Sequence, residues 1–401
     1  MKKIKLDNYV YQKSKLADLD VIIDDEGVIV FIALLYSIHL KRTNEIYLIT
    51  RRDRRDGYET RLESSPVSDS TAKSYVSCLF RFCKYVNKEN ANGRLPSVHC
   101  LYELSNAQIN EYLNKHLPID IGEQSLQLHL SALTAFYNFL AFLAVKAPSK
   151  LILSSTARKN ARENHGKKTK INYITKSERF ELLKLCSSYR DRLLLKMGSE
   201  VGLRASENRG LLLSYKGQEK GYLKELFRRL DSEDFSHQNE FEYLLPGKFT
   251  KGGKSRKIYF SRSLLNEMKR YYDGERESLL VGMGDVRVDS EHLFINIKGK
   301  NKGHCISARL PSDLFSGYAR KIKQLSDATC YHDLRHTFAT ELYHQELLDE
   351  NGAETRSESA SLIVVAERLG HGMTREGRPS KVTVRYIRLR NIMLAAEGWD
   401  E

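Results

Sequence analysis

A basic stretch with few apolar residues divides this chain, and it constrains the fold more than any other feature. Residues 157–173 read ARKNARENHGKKTKINY, and between Arg158 and Lys170 six lysines or arginines stand against one acid, Glu163. Because so few apolar side chains cannot form part of a packed core, the stretch predicts a flexible linker between two separately packed bodies. A chain of 401 residues is long enough for two or three domains.

The overall charge favours a polyanionic partner. The formal net charge is +14 and the isoelectric point is about 9.3, although a generally basic protein without such a partner would have the same values. The linker could lie along a nucleic-acid backbone and release counterions, or it could be an ordinary solvated linker, and the sequence favours neither. The linker residues that could contact DNA are Arg158, Lys159, Arg162, Lys167, Lys168 and Lys170.

The cysteines and the apolar segments indicate a soluble, cytoplasmic protein. The six cysteines are scattered and none has the spacing of a zinc site, so we interpret them as reduced thiols. The basic N-terminus lacks the apolar region of a signal peptide. The longest apolar run, residues 27–40, is too short to cross a bilayer.

Helical patterns fill the body that precedes the linker. In residues 67–156, Tyr75, Leu79 and Phe82 have helical spacing, and two further amphipathic helices follow. Residues 1–66 contain a predicted helix from Val28 to His39 and the charged run RRDRRDGYETRLESSP. That run is either a solvated loop or an edge that contacts phosphates. The segment as a whole is either a separate DNA- or partner-contacting element or the first part of the helical body.

The body after the linker, residues 174–392, places an arginine at a helix junction. A buried helix is predicted to end at Gly202, and Arg204 begins the next helix amid apolar residues, three positions before Glu207. A buried guanidinium needs an anionic partner. Glu207 could be the whole partner, or it could brace a guanidinium whose other donors bind phosphate oxygens.

A lysine-bearing hairpin follows at residues 242–260. Its GGKS sequence imitates a phosphate-binding P-loop, but Lys248 stands where that motif requires its first glycine, and the next residues alternate like a strand. We therefore predict a β-hairpin that turns at Gly252 and Gly253, with Lys251 before the turn and Lys254 after it. A lysine at such a tip can reach into a site on another lobe, although most turn lysines are only solvated.

Two histidine motifs complete the set of candidate residues. His332 and Arg335 share one face at the start of a predicted helix, a pairing that suits an anionic oxygen such as that of phosphate. His371 follows a Leu-Gly pair that should end another helix, and Tyr386 lies in an apolar-patterned segment after it. Taken singly, each of these motifs is more often structural than functional.

In chain order these motifs resemble those of the tyrosine recombinases, or phage integrase family. The matching elements are G-L-R-x-S-E at 202–207, the lysine hairpin, H-x-L-R-H-T at 332–337, L-G-H at 369–371 and a following tyrosine. The resemblance covers residues 174–392 and extends more weakly to 20–160. The intervals on either side of His371 are longer than in compact bacterial members, with the extra residues near 344–361 and 372–380.

The resemblance implies a fold and a set of roles. The fold is mainly α, with an N-terminal helical core-binding (SAM-like) domain, a mostly α catalytic domain carrying a small β-hairpin, as in DNA breaking-rejoining enzymes, and a C-terminal tail at 393–401. Tyr386 is implied as the nucleophile, Lys251 (or else Lys254) as the general acid and His332 as an acid/base partner. Arg204, Arg335 and His371 would grip the scissile phosphate, supported by Glu207.

The implied activity is site-specific recombination or integration of DNA, as used by mobile elements, through a covalent 3′-phosphotyrosyl intermediate. This chemistry needs neither ATP nor a metal ion, and the sequence shows neither a P-loop nor an acidic metal cluster. The implied partners are double-stranded DNA with specific core sites and accessory DNA-bending or directionality proteins, and the protein would form a homotetramer at synapsis. No membrane is implied, and the expected location is the nucleoid. The alternatives are a type IB topoisomerase, a telomere resolvase, a non-catalytic DNA-binding protein and, least favoured, a metal-dependent nuclease.

Overall fold

The chain folds into two compact units that divide within the predicted linker. The computed structural model describes residues 1–54, 57–165, 172–283, 291–349, 351–372 and 383–398. Unit 1 is Met1–Thr169 and unit 2 is Lys170–Glu401. The described residues are mainly α-helical with short antiparallel strand pairs, as the sequence predicts. None of the helices in these ranges combines the length and the apolar character that crossing a bilayer requires.

Unit 1 combines strand pairs with helices. In chain order its elements are β1 (Lys2–Leu6), β2 (Tyr9–Tyr11), β3 (Ser14–Leu16), β4 (Leu19–Ile23), α1 (Phe31–Thr43), β5 (Glu45–Arg54), β6 (Gly57–Pro66), α2 (Asp69–Ala91), α3 (Asn106–Glu111), α4 (Leu117–Asp120), α5 (Glu123–Phe142) and α6 (Ser155–His165). The antiparallel pairs are β1 with β4, β2 with β3 and β5 with β6.

Residues 1–66 share the main core of unit 1. The long helices α2 and α5 pack together through apolar side chains that include Phe82 and Phe136. Ile22 from β4 and Tyr36 from α1 belong to the same buried cluster. The structure therefore has no domain boundary at residue 66, because the first segment covers apolar surface of the helical body predicted for 67–156.

The first part of the predicted linker is helical. Helix α6 packs against α4 and α5 and buries Ala157 and Ala161, which lie four positions apart on one face. Two small apolar residues, together with the ion pair between Arg162 and Glu123 of α5, thus dock a helix whose other side chains are polar. The structure differs here from the expectation of a flexible linker starting at 157, and residues 166–171 lie outside the described ranges.

The charged run in the first segment forms much of a β-hairpin. Strands β5 and β6 pair from Glu45 opposite Pro66 to Arg54 opposite Gly57. These strands were not predicted, because the charged residues interrupt the alternation of apolar and polar side chains that normally reveals a strand.

Unit 2 is a helical body with one β-hairpin. Its elements are α7 (Lys176–Lys184), α8 (Tyr189–Ser199), a 3₁₀ turn (Ala205–Gly210), α9 (Leu223–Asp231), β7 (Glu240–Leu245), β8 (Arg256–Ser261), α10 (Arg262–Tyr271), α11 (Glu277–Val281), α12 (Leu310–Ala319), α13 (Tyr331–Leu347), α14 (Glu358–Leu369) and α15 (Arg385–Glu397). Strand β7 pairs with β8 from Glu240 opposite Ser261 to Leu245 opposite Arg256.

Helix α13 lies at the centre of unit 2 and contacts α8, α12, α14 and α15. Its start is fixed by Asp333, which accepts hydrogen bonds from the backbone N–H groups of Cys330 and Asn172. One turn later, the Thr337 hydroxyl accepts a hydrogen bond from the Ile174 N–H. Helix α15 packs on α13 of its own unit through Leu389.

Candidate active site

A glycine sets the geometry of the junction that carries Arg204. Gly202 has φ +72°, and a Cβ at this position would collide with the Phe338 ring, so both the conformation and the space require glycine. The chain then turns so that Arg204 caps the 3₁₀ turn that contains Glu207. The Gly202 carbonyl points towards α13, where it accepts a hydrogen bond from the Arg335 guanidinium.

Glu207 is the fully buried centre of an arginine cluster. Its carboxylate accepts hydrogen bonds from the backbone N–H of Arg204 at 2.8 Å, from Arg204 Nη1 at 2.6 Å and from Arg256 Nη2 at 2.6 Å. Arg335 Nη1 lies 3.6 Å from Glu207 Oε2. Burial would raise the pKa of Glu207, but Arg256, Arg335 and Arg204 hold that pKa below its usual value. Glu207 therefore stays ionised.

Arg335 is enclosed by protein on all sides, with its residue fully buried. Its guanidinium donates to the Gly202 carbonyl and to the Leu369 carbonyl, the latter at 2.6 Å, and approaches His371 Nε2 at 3.4 Å. Burial, together with the charges of Arg204 and Arg256, lowers the pKa of Arg335 to about 9. Three guanidiniums share one carboxylate here, so the cluster carries an excess of positive charge that an anionic oxygen would balance.

Two predicted histidines border the arginine cluster and are neutral near pH 7. His332 keeps an exposed side, yet desolvation and the charges of Arg335 and Arg204 lower its pKa to about 4. His371 follows Gly370, which ends α14 in the left-handed conformation with φ +63°. Burial, Arg335 and Arg204 lower the pKa of His371 to about 3, and its Nδ1 lies 3.1 Å from the Thr383 hydroxyl.

Tyr386 lies beside these histidines, in the same unit as the arginines. It is in the first turn of α15, and only 1% of it is exposed. Its hydroxyl is 3.3 Å from His336 Nδ1, and its ring is nearly parallel to that of His371, with 6.3 Å between the ring centroids. The His336 ring in turn meets His332 edge-on at 4.4 Å. A tyrosine hydroxyl and three imidazoles thus adjoin the positive cluster.

The hairpin places its lysines at an exposed tip. Gly252 and Gly253 both have positive φ, at +91° and +72°, as the sequence predicts. They do not form the predicted tight turn, because β7 and β8 are joined by a longer connection, residues 246–255, which includes a 3₁₀ turn at Gly247–Phe249. The Thr250 hydroxyl closes the turn by donating to the Lys254 carbonyl at 2.7 Å. The charge of Lys251 contributes to the low pKa of His332, which sets this lysine within electrostatic range of the site.

The structure brings six of the predicted residues together: Arg204, Glu207, His332, Arg335, His371 and Tyr386. Three further residues adjoin them that were not predicted for the site: Arg256, His336 and Thr383. Arg256 had a usable signal, because it occupies an inward position of β8 in alternation with the buried Ile258 and Phe260.

The predicted linker contacts are only partly described. Arg158 and Lys159 are exposed on α6, where Lys159 lies 3.8 Å from Glu163. Arg162 is held by two contacts of its guanidinium to Glu123, at 2.5 and 2.7 Å. Lys167, Lys168 and Lys170 lie outside the described residues.

Comparisons with known proteins give a consistent result. Residues 172–351 match the model of the phage integrase family. The tyrosine recombinase XerA of Pyrococcus horikoshii is 26% identical over 216 residues, which are 54% of this chain and 58% of that protein, so the chain spans little more than half of this relative. The chain is also similar to two solved structures of the XerH site-specific recombinase bound to difH substrate, a post-cleavage and a pre-cleavage complex. Each match covers 82% of this chain and 80% of the XerH chain. Their sequence identities are 18% and 17% and their TM-scores 0.51 and 0.50, a likeness that concerns the fold.

Proposed function

We propose that this chain, which carries a phage integrase family domain at residues 172–351, is a site-specific DNA recombinase. It cuts and rejoins DNA through a covalent bond between Tyr386 and a 3′-phosphate. The observation that carries the proposal is the arrangement in unit 2. Three guanidiniums gather around the single buried carboxylate of Glu207, with the Tyr386 hydroxyl next to neutral imidazoles.

The chemistry follows from the charges that change during attack on a phosphodiester. The Tyr386 oxygen bonds to phosphorus while the bond from phosphorus to the 5′-oxygen breaks. Negative charge grows on the non-bridging oxygens, where the partly exposed guanidinium of Arg204 can stabilise it by direct contact. Arg335 adds its positive charge from a buried position, and His371, which the resemblance implies for the same phosphate, lies beside Arg335. A phenol is a weak nucleophile near neutral pH until its proton is accepted. His336 Nδ1, which lies 3.3 Å from the Tyr386 hydroxyl, is the nearest candidate acceptor, and His332, which the resemblance implies for the acid/base role, meets the His336 ring at 4.4 Å.

The leaving 5′-oxygen requires a proton, which Lys251 would supply from the exposed hairpin tip. Lys251 is a better candidate than Lys254 because its charge acts on the His332 ring. Rejoining reverses these steps. A 5′-hydroxyl attacks the phosphotyrosine, the tyrosine oxygen leaves phosphorus, and the proton of the 5′-hydroxyl returns to the lysine. The bond energy is conserved in the intermediate, so no ATP is consumed and no metal ion is needed.

The same proposal extends to the partners. Unit 1, with exposed Arg158 and Lys159 on α6, would contact DNA at the core site, where phosphate contacts supply affinity. We infer that four copies assemble on two sites at synapsis, aided by accessory DNA-bending or directionality proteins. The mass of the purified protein–DNA complex, measured by light scattering, tests the fourfold assembly.

A nicked suicide substrate tests the proposed activity. The DNA site is first selected by binding from a randomised duplex library. A nick close to the cleavage position then lets the 5′-hydroxyl fragment diffuse away, so the covalent complex accumulates. We expect a denaturation-resistant adduct in the presence of EDTA, lost in Tyr386→Phe and kept in Tyr343→Phe, which removes another buried hydroxyl in the same unit.

Each alternative gives a different outcome in that experiment. Tight binding without any adduct would favour a non-catalytic DNA-binding protein, and cleavage that depends on added metal would favour a nuclease. An adduct that leads to relaxation of supercoiled DNA without strand exchange would favour a type IB topoisomerase. An adduct that resolves into covalently closed hairpin ends would favour a telomere resolvase.

A further inference from the structure

We propose that Arg256 is a positioning residue that joins three parts of the active site: the base of the lysine hairpin, Glu207 and the segment that carries His371. This role rests on the proposed recombinase function and names a residue on which the geometry of that reaction depends. Arg256 acts through its neighbours and does not touch the DNA.

The contacts of Arg256 reach all three parts. It is the first residue of β8, five positions after Lys251. Its Nη2 donates to Glu207 Oε2 at 2.6 Å, and its Nη1 donates to the Arg368 carbonyl, near the end of α14. Its aliphatic part lies against Gly370, where a Cβ would come within 2.5 Å of Arg256 Cδ. The residue before His371 is therefore held directly against this side chain.

Arg256 is enclosed by the protein and is engaged with it. The residue is 8% exposed, and both terminal nitrogens are committed to protein acceptors. Its Nε is buried and has no hydrogen-bond partner. An arginine so enclosed is costly, and a well-packed apolar side chain often stabilises a core as well as a buried ion pair does. A role in geometry accounts for that cost.

The charge of Arg256 also acts on the residues that it positions. It contributes to the lowered pKa of Arg335 and of His371, so it helps keep the His371 ring neutral. Neutral His371 can accept a hydrogen bond from the Arg335 guanidinium, which lies 3.4 Å away. Loss of Arg256 would loosen the hairpin base and the His371 segment together.

Single-turnover kinetics separate this role from a purely structural one. The variants are Arg256→Gln and Arg256→Lys. The matched control is Arg262→Gln. Arg262 lies just past the other end of β8 and donates hydrogen bonds to the carbonyls of Gln238, Leu230 and Phe235. For each variant the dissociation constant for the selected DNA, the rate constant and amplitude of adduct formation on suicide DNA, and the stability in urea are measured.

We expect Arg256→Gln to bind DNA within about threefold of the wild type, because one buried arginine adds little to a large phosphate footprint. Its rate constant for adduct formation should fall about 100-fold, the scale expected when catalytic groups shift by about 1 Å. The rate constant of Arg256→Lys should be about tenfold higher than that of Arg256→Gln, because an ammonium can reach Glu207 or the Arg368 carbonyl but not both. Arg262→Gln should lower only stability and amplitude.

Different outcomes overturn different claims. An Arg256→Gln rate constant within about threefold of the wild type, with a reduced amplitude, would show that Arg256 only stabilises the fold. That conclusion would also follow if Arg262→Gln lowered the rate constant as much as Arg256→Gln does. If Arg256→Gln does not fold, Arg256→Lys decides by the same two criteria. A wild type that forms no adduct would contradict the proposed function itself, and this role with it.

Discussion

The buried carboxylate of Glu207 gives the sharpest prediction. Replacing it with the isosteric amide of Glu207→Gln removes the negative charge that faces guanidinium nitrogens at 2.6, 2.6 and 3.6 Å. Removing one partner of a buried ion pair usually costs about 3–5 kcal/mol, because the other charge remains buried and uncompensated. In a unit of this size that corresponds to a melting temperature lower by about 6–20 °C.

Urea unfolding at several pH values is the assay for Glu207→Gln. The pKa of Glu207 is lowered in the folded protein from an ordinary value of 4.5, so its contribution to stability is complete above pH 4.5 and is lost as the pH falls through the folded pKa. The difference between wild type and variant should therefore be full at pH 7 and should close below pH 4.5. The matched control is Glu240→Gln, which breaks an exposed pair with Arg368 and should cost under about 1 kcal/mol.

A dependence on anions completes this prediction. With Glu207 neutral, inorganic phosphate can balance the arginines, so phosphate should raise the melting temperature of the variant more than that of the wild type at equal ionic strength. A loss of less than 1 kcal/mol at pH 7, or a difference that does not change with pH, would refute the conclusion that this carboxylate balances the cluster.

Two further predictions concern the same site, and a third concerns α6. Gly202→Ala should destabilise unit 2 by about 3 kcal/mol in urea, through its positive φ and the collision with Phe338, and should slow adduct formation; a neutral effect would contradict the described junction. Because the folded pKa of His371 is about 3, against an ordinary 6.5, the unfolded state takes up a proton first as the pH falls. Between pH 7 and 4.5 the wild type should therefore lose about 2 kcal/mol more unfolding free energy than His371→Gln, and equal losses would refute the shift. Arg158→Ala should weaken binding of the selected DNA, and the slope of log affinity against log salt concentration should fall by the share of about one phosphate contact. An unchanged affinity would place α6 away from the DNA.

Local sequence rules predicted the features that depend on a few neighbouring residues. The hairpin and the positive φ of Gly252 and Gly253 were predicted, whereas the longer connection between its strands was not. The pairing of Glu207 with Arg204 followed from a spacing that places both on one turn.

Features that depend on distant parts of the chain were harder to predict. Arg256 joins Glu207 only because β8 lies beside the 3₁₀ turn, and no local pattern reveals that juxtaposition. His336 meets Tyr386 fifty residues away through the packing of α15 on α13. Helix α6 was missed because two alanines were enough to dock it, whereas the surrounding charge indicated a linker.

The most direct measurement is the identity of the residue joined to DNA. The adduct from the wild-type protein and nicked suicide DNA would be digested with nuclease and protease, and the modified peptide sequenced by mass spectrometry. The proposed mechanism predicts a peptide from α15 that carries a nucleotide 3′-phosphate on the Tyr386 hydroxyl, with the mass of a phosphodiester link. A nucleotide on any other side chain, or a phosphate attached through its 5′ oxygen, would contradict it.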